Sequence, residues 1–173
     1  LPRDGENIHD NLMQVLEDDE EPSDVRRRCM EAVAPFNTME INQQITVAYE
    51  SLDPDFRASS IFAMGRTGEI GWLPLLIQGH QNEEPTIRYE TAHACGELGE
   101  EDAVPHLVLL LKDDDSEVQL AGVGALGKIG GQLAKQVLTS LVKDGDENLV
   151  EAARLELDDL AFDDDPEGYL GGL

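Results

Sequence analysis

From Phe56 the chain reads FRASSIFAMGRTG, from Ile87 IRYETAHACGELG, and from Val118 VQLAGVGALGKIG. In each stretch, small or apolar residues occupy relative positions zero, four, seven, eight and eleven. They are Phe56, Ser60, Ala63, Met64, Thr67; Ile87, Thr91, Ala94, Cys95, Leu98; and Val118, Gly122, Ala125, Leu126, Ile129. That spacing lays one stripe along one face of an α-helix. The residues that open each copy, Val25, Phe56, Ile87, Val118 and Leu149, follow one another at 31-residue steps without a gap. A fixed period of this length predicts a structural unit repeated five times.

Start and stop signals agree with the stripe. Asp53, Glu84, Asp115 and Asp146 stand three positions before the opening residue, followed by Pro54, Pro85, Ser116 and Glu147; the first copy has Pro22 and Ser23. An acid followed by proline is an N-cap and first helical turn, since the side-chain oxygen accepts an orphan N–H and proline has none to lose. Helices are therefore expected to start near 23, 54, 85, 116 and 147. Gly68, Gly99 and Gly130 at position twelve, with Asn37 in the first copy, predict left-handed caps at the other end. Gly65, Gly96 and Gly127 at position nine predict close approach of a neighbouring backbone. Between copies lie NLMQVLED, INQQITVAYE, WLPLLIQGH, AVPHLVLLLK and AKQVLTSLVK, each read as a second apolar helix. Neither helix of such a pair can bury its apolar face alone, so the pairs must stack.

The recurring order of acid, proline, branched apolar residue, arginine, then Ala, Leu or Met, Gly-x-x-Gly resembles the short prokaryotic HEAT-like repeat of the phycobilisome-lyase type. The resemblance covers about residues 8 to 162. Arg26, Arg57 and Arg88 fall at that family's arginine position, whereas Gln119 and Val150 depart from it and interrupt an acid–arginine ladder. It implies an all-α, right-handed α-solenoid of about five helix pairs. Residues 1–162 are expected to form one repeat domain. The acidic, glycine-containing segment 163–173 is read as a mobile tail.

Composition narrows the function. Hydrophobic residues make up 40% of the 173-residue chain and aromatics only 5%, so the core must be built from Ala, Leu, Val and Ile. The longest wholly apolar run, LVLLL at 107–111, is far short of a membrane span of about 18 residues. The first residues carry no basic stretch followed by an apolar run, so they are read as a processed start and not as a signal peptide. With 37 acids against 12 Lys plus Arg, the net charge is −25, which disfavours nucleic acid and anionic lipid as partners. Such acidity suits either an elongated protein kept in solution or a salt-rich cytosol. Cys29 and Cys95 lie two copies apart, beyond disulfide reach, and are expected as free core thiols in a cytoplasmic protein.

Candidate chemistry is sparse. Within the resemblance, deoxyhypusine hydroxylases carry His-Glu dipeptides as iron ligands; here the four histidines precede Asp10, Gln81, Ala94 and Leu107, which argues against a di-iron site. His93 and Glu97 are four apart and are read as a surface pair rather than metal ligands. Ser59, Ser60, Thr67 and Thr91 lack a His–acid constellation, and no glycine-rich phosphate loop links a strand to a helix. No catalytic residue, metal or cofactor is expected. A bilin-lyase-like or other small-molecule role remains the alternative, with Arg26, Arg27, Arg28 and Arg66 as its available cations.

Positions two, three, six and ten fall off the core stripe and, in HEAT-like solenoids, line the concave face. They predict a protein- or peptide-binding row of Arg27, Arg28, Phe62, Arg66, Tyr89, His93, Leu120, Lys128 and Leu155, with Phe62, Tyr89, Leu120 and Leu155 as its apolar strip. Tyr suits such a face because its ring buries area while its hydroxyl stays paired. The expected function is a non-enzymatic scaffold or adaptor, monomeric or weakly oligomeric. The competing assignment has Phe62 and Leu155 completing the packing between repeats.

Overall fold

The computed structural model describes residues 4–164, with burial described for 8–162. Among the described residues every regular element is helical. Five outer helices, α1 (Asp4–Glu17), α3 (Met39–Tyr49), α5 (Leu73–Leu76), α7 (Val104–Leu110) and α9 (Gly131–Asp144), alternate with five inner ones. The inner set is α2 (Ser23–Val33), α4 (Pro54–Thr67), α6 (Pro85–Leu98), α8 (Ser116–Ile129) and α10 (Glu147–Asp164). Each inner helix packs on the next along the chain, giving the α-solenoid expected from the repeat. No described helix is long and apolar enough to cross a membrane. Of segment 163–173, expected as a tail, only the end of α10 falls within the described residues.

Buried Met30, Ile61, Met64, Cys95, Val123 and Leu126 belong to one continuous core between the two helix layers. Position zero is buried at Ile87, Val118 and Leu149 and half-buried at Phe56, where Arg26 lies over the ring. Val25, in the first copy, is 39% exposed. Position nine brings backbones together: a Cβ on Gly65 would stand 2.7 Å from the Ala94 Cα, and one on Gly96 2.9 Å from the Ala125 Cα. At Gly127 the same space is filled by the carboxylate of Glu156, which replaces alanine at position seven of the last repeat.

Three local expectations need correction. Asp53 and Asp115 cap their helices through the amides of Asp55 and Glu117, and the Asp146 carboxylate accepts from the Leu149 amide. Glu84, however, makes no cap; its longer side chain turns to Arg57, which donates at 2.6 Å. Gly68, Gly99 and Asn37 are left-handed caps, but Gly130 takes φ 61° and ψ −142°. There α9 starts at the very next residue, so the chain must reverse with no intervening turn. The outer helix expected over WLPLLIQGH shrinks to the four residues of α5, because Gly79 leads into a 3-10 turn that sits against Thr91. Trp72 packs on the core at this junction.

The arginine row stitches repeats together. Arg88 donates from Nε and Nη2 to both oxygens of Asp113, at 2.6 and 2.7 Å. Where arginine is missing, Gln119 donates at 2.6 Å only to the Asp113 carbonyl of its own repeat, the counterpart of the Arg88 bond to the Asn82 carbonyl, so among the described residues the ladder between repeats ends at Arg88–Asp113. Arg26 lies over the Phe56 ring and donates to the Leu16 carbonyl.

Candidate functional site

The inner helices present their off-stripe residues at equivalent positions, and the structure sorts these by depth. At position three, Ser59 and Ala121 are buried, as is Ala58 at position two, so they do not line an open surface as the periodicity implied. Adjacent inner helices stand too close there for solvent to enter. The larger side chains lean outward: Phe62 is 37% exposed, Leu120 42% and Leu155 61%, while Tyr89 is half-buried.

Two of these helices shape a cleft. Phe62 and Arg66 from α4 face Tyr89, Glu90, His93, Ala94 and Glu97 from α6 around a volume of about 260 Å³. Tyr89 and His93, one turn apart, meet edge to face with ring centroids at 4.5 Å. A neighbouring hollow of about 320 Å³ lies between α6 and α8, lined in part by Asp115 and Glu117, and shares Tyr89 and Glu90 with the first. Of the residues predicted from sequence, Phe62, Arg66, Tyr89 and His93 are brought together here. Arg27, Arg28, Leu120, Lys128 and Leu155 lie outside both hollows.

Most charges on this face are committed to one another. Arg27 donates to the Ser59 hydroxyl at 3.2 Å and stands 3.7 Å from Asp55. Ser59 in turn donates to Glu31 at 2.7 Å, and the other Glu31 oxygen accepts from Arg28. Lys128 pairs with Glu97 across one repeat step, which holds the Glu97 carboxyl below the usual carboxylate range. Position ten therefore runs Arg66, Glu97, Lys128, Asp159 with alternating sign. His93 is pushed down in pKa by burial and then by the Lys128 charge, which keeps its imidazole neutral near pH 7.

Glu90 differs. Among the described residues its carboxylate has no hydrogen bond and no ion pair, and burial followed by the charge of Glu31 pushes its pKa up to about 7. Sequence reasoning placed Glu90 on this face without singling it out. The signal was in the row it occupies, Arg28, Ser59, Glu90, Ala121, Ala152, where neither adjacent repeat offers a counter-charge.

The histidines do not converge on one point. His80 and His106 meet each other on the outer layer with ring centroids at 5.1 Å, away from the His93 cleft. No three His, Cys, Asp or Glu among the described residues are grouped to hold a metal ion. Cys29 and Cys95 are free and buried, and burial pushes the Cys95 thiol up to about 12. The described cleft thus offers surfaces, charges and one protonatable acid, without a nucleophile beside a base.

Comparison with known proteins agrees with this geometry. The sequence matches the family model of HEAT repeats over residues 43–120 and 73–158. No curated protein matches it. Among solved structures, a chain from the complex of CpcE and CpcF of phycocyanin lyase from Nostoc is similar at TM-score 0.57 and 20% identity, over 86% of this chain. This chain spans 63% of the length of that one. Human deoxyhypusine hydroxylase is similar at TM-score 0.52 and 17% identity, over 90% of this chain and 74% of its own. An engineered protein aligns at TM-score 0.60 and 18% identity, over 91% and 81%. At such identities the likeness is one of fold.

Proposed function

The chain belongs to the HEAT-repeat family, and we propose that it is a non-enzymatic scaffold whose concave face binds a protein or peptide. The observation that carries this reading is the α4–α6 cleft, where partly exposed Phe62 stands beside half-buried Tyr89. Aromatic side chains in partly desolvated hollows are the usual anchors of protein interfaces. At about 260 Å³ the cleft lies below the roughly 300–1,000 Å³ of pockets that enclose drug-sized ligands. It suits a side chain of a larger partner better than a free cofactor. The likeness to a chain from the CpcE–CpcF complex adds an example of this fold assembled with another protein.

In this reading residues 1–162 act as a single domain, and Arg27, Arg28, Lys128 and Leu155 form the margins of the binding row. Free Cys29 and Cys95 suit a cytoplasmic setting. The bilin-handling alternative would call for several unpaired cations to meet propionates. The cleft lining offers Arg66, opposed by Glu90 and Glu97.

The test is affinity capture from native lysate with the parent and a Phe62→Ser, Tyr89→Ser, Leu120→Ser variant, its helicity matched by circular dichroism. A protein held by the parent and lost by the variant supports the concave row. Equal capture by both would move the binding face elsewhere, and a coloured small molecule with no protein would favour the alternative.

A further inference from the structure

Glu90 is a half-buried carboxylate left without a partner on a face where most of the charges are paired. Arg27, Arg28 and Lys128 are engaged by Asp55, Glu31 and Glu97. Along its own row, Glu90 is flanked by Ser59, already bonded to Glu31, and by Ala121, which has nothing to donate. Burying an acid in this way is costly unless something completes it. Glu90 lines both hollows; Phe62 and Tyr89 wall the first, and Tyr89 also lines the second.

We propose that the partner seats a lysine or arginine in this cleft, its aliphatic stem between Phe62 and Tyr89 and its cationic head on the Glu90 carboxylate. The inference rests on the scaffold reading above and names the chemistry of the partner. Charge complementarity supports it at two scales. Locally, Glu90, Glu97, Asp115 and Glu117 line the two hollows against the single fixed cation Arg66, with His93 neutral. Globally, the chain carries a net charge of −25, which draws basic segments and repels acidic ones. Aromatic walls add cation–π attraction to a head group that the carboxylate holds in place. An apolar residue beside the basic one would then cover exposed Leu120.

The cleft also predicts how binding responds to pH. The charge of Glu31 on α2 bears on Glu90, the charged or titratable groups lining the two hollows with it are Arg66 from α4, His93 and Glu97 from α6, and Asp115 and Glu117 from α8, and Lys128 from α8 acts on His93 and Glu97. A cation docked on Glu90 favours its ionised form. Binding therefore releases a proton below about pH 7, and affinity rises as the acid ionises.

The experiment is selection of a random peptide library displayed on phage against the intact protein. Enriched peptides are then synthesised and titrated against the parent, Glu90→Gln, and the Phe62→Ser, Tyr89→Ser, Leu120→Ser variant. Enriched peptides should carry Lys or Arg beside an apolar residue, and Glu90→Gln should weaken them about tenfold or more. Parent affinity should increase from pH 6 to pH 8, with a flatter profile in Glu90→Gln. Peptides lacking a basic residue, bound equally by parent and Glu90→Gln yet lost by the triple variant, would overturn the inference and leave the scaffold reading standing. Peptides bound equally by all three proteins would overturn both, and failure to enrich any peptide would overturn the inference.

Discussion

Glu90 shows how a residue acquires a property that its type does not carry. Its pKa rises from 4.5 to about 7, so between those values the unfolded chain has given up a proton that the folded chain retains. Stability arising from this group is therefore full below about pH 4.5, falls as pH rises, and levels off above about pH 7. Glu90→Gln removes the penalty. The variant should match the parent near pH 4 and exceed it at pH 8 by about 1–2 kcal/mol, a figure reduced for solvent at the cleft mouth. Urea midpoints at the two pH values measure this, and equal midpoints at pH 8 would show that Glu90 ionises without cost. Nothing in the local sequence announces the shift. It arises because Ser59, Ala121 and Glu31, on three other helices, exclude water or repel charge without supplying a cation.

At the scale of the helix, the glycines divide by what faces them. An exposed-helix Gly→Ala change ordinarily gains about 1 kcal/mol of propensity. At Gly65 the added methyl would meet the Ala94 backbone at 2.7 Å, so α4 and α6 must separate. Gly65→Ala should cost about 1–3 kcal/mol despite its better propensity. Gly124, on α8, has only a Glu156 oxygen at 3.8 Å, and Gly124→Ala should gain about 0.5–1 kcal/mol. Denaturant unfolding of both variants gives opposite signs if inter-helix distance decides, and the same sign if propensity does. Position nine was legible as a place of close approach because it recurs every repeat. The difference in sign was not, since it depends on which atom the neighbouring helix places opposite.

Across the whole molecule, 37 acids on one elongated body repel one another, and repeat-to-repeat bridges such as Arg57–Glu84 and Arg88–Asp113 offset only part of this. Raising salt from about 20 to 500 mM shortens the screening length from roughly 20 Å to about 4 Å, which relieves the long-range repulsion more than it weakens these close pairs. The melting temperature should rise by about 5 °C or more over that range. A fall would mean that the bridges outweigh the repulsion. Each repeat touches mainly its neighbours, and irregularities are met one at a time along the chain, as exposed Val25, the short α5 and the Glu156 carboxylate against Gly127 show.

The solenoid was readable from the chain because its causes repeat with the chain. A 31-residue step, acids before helix starts, an Ala- and Leu-rich stripe and glycines at position nine are all local in sequence. The site was readable only as a row of positions. Phe62, Arg66, Tyr89 and His93 belong to the row expected from the periodicity, yet the hollow that unites them exists because α4 and α6 pack at one particular distance. That same distance buries Ala58, Ser59 and Ala121 and leaves Glu90 half-covered and unpaired. Periodicity assigns a residue to a face. How deep it lies there, and what stands opposite, belongs to the spacing between repeats, which no single repeat encodes.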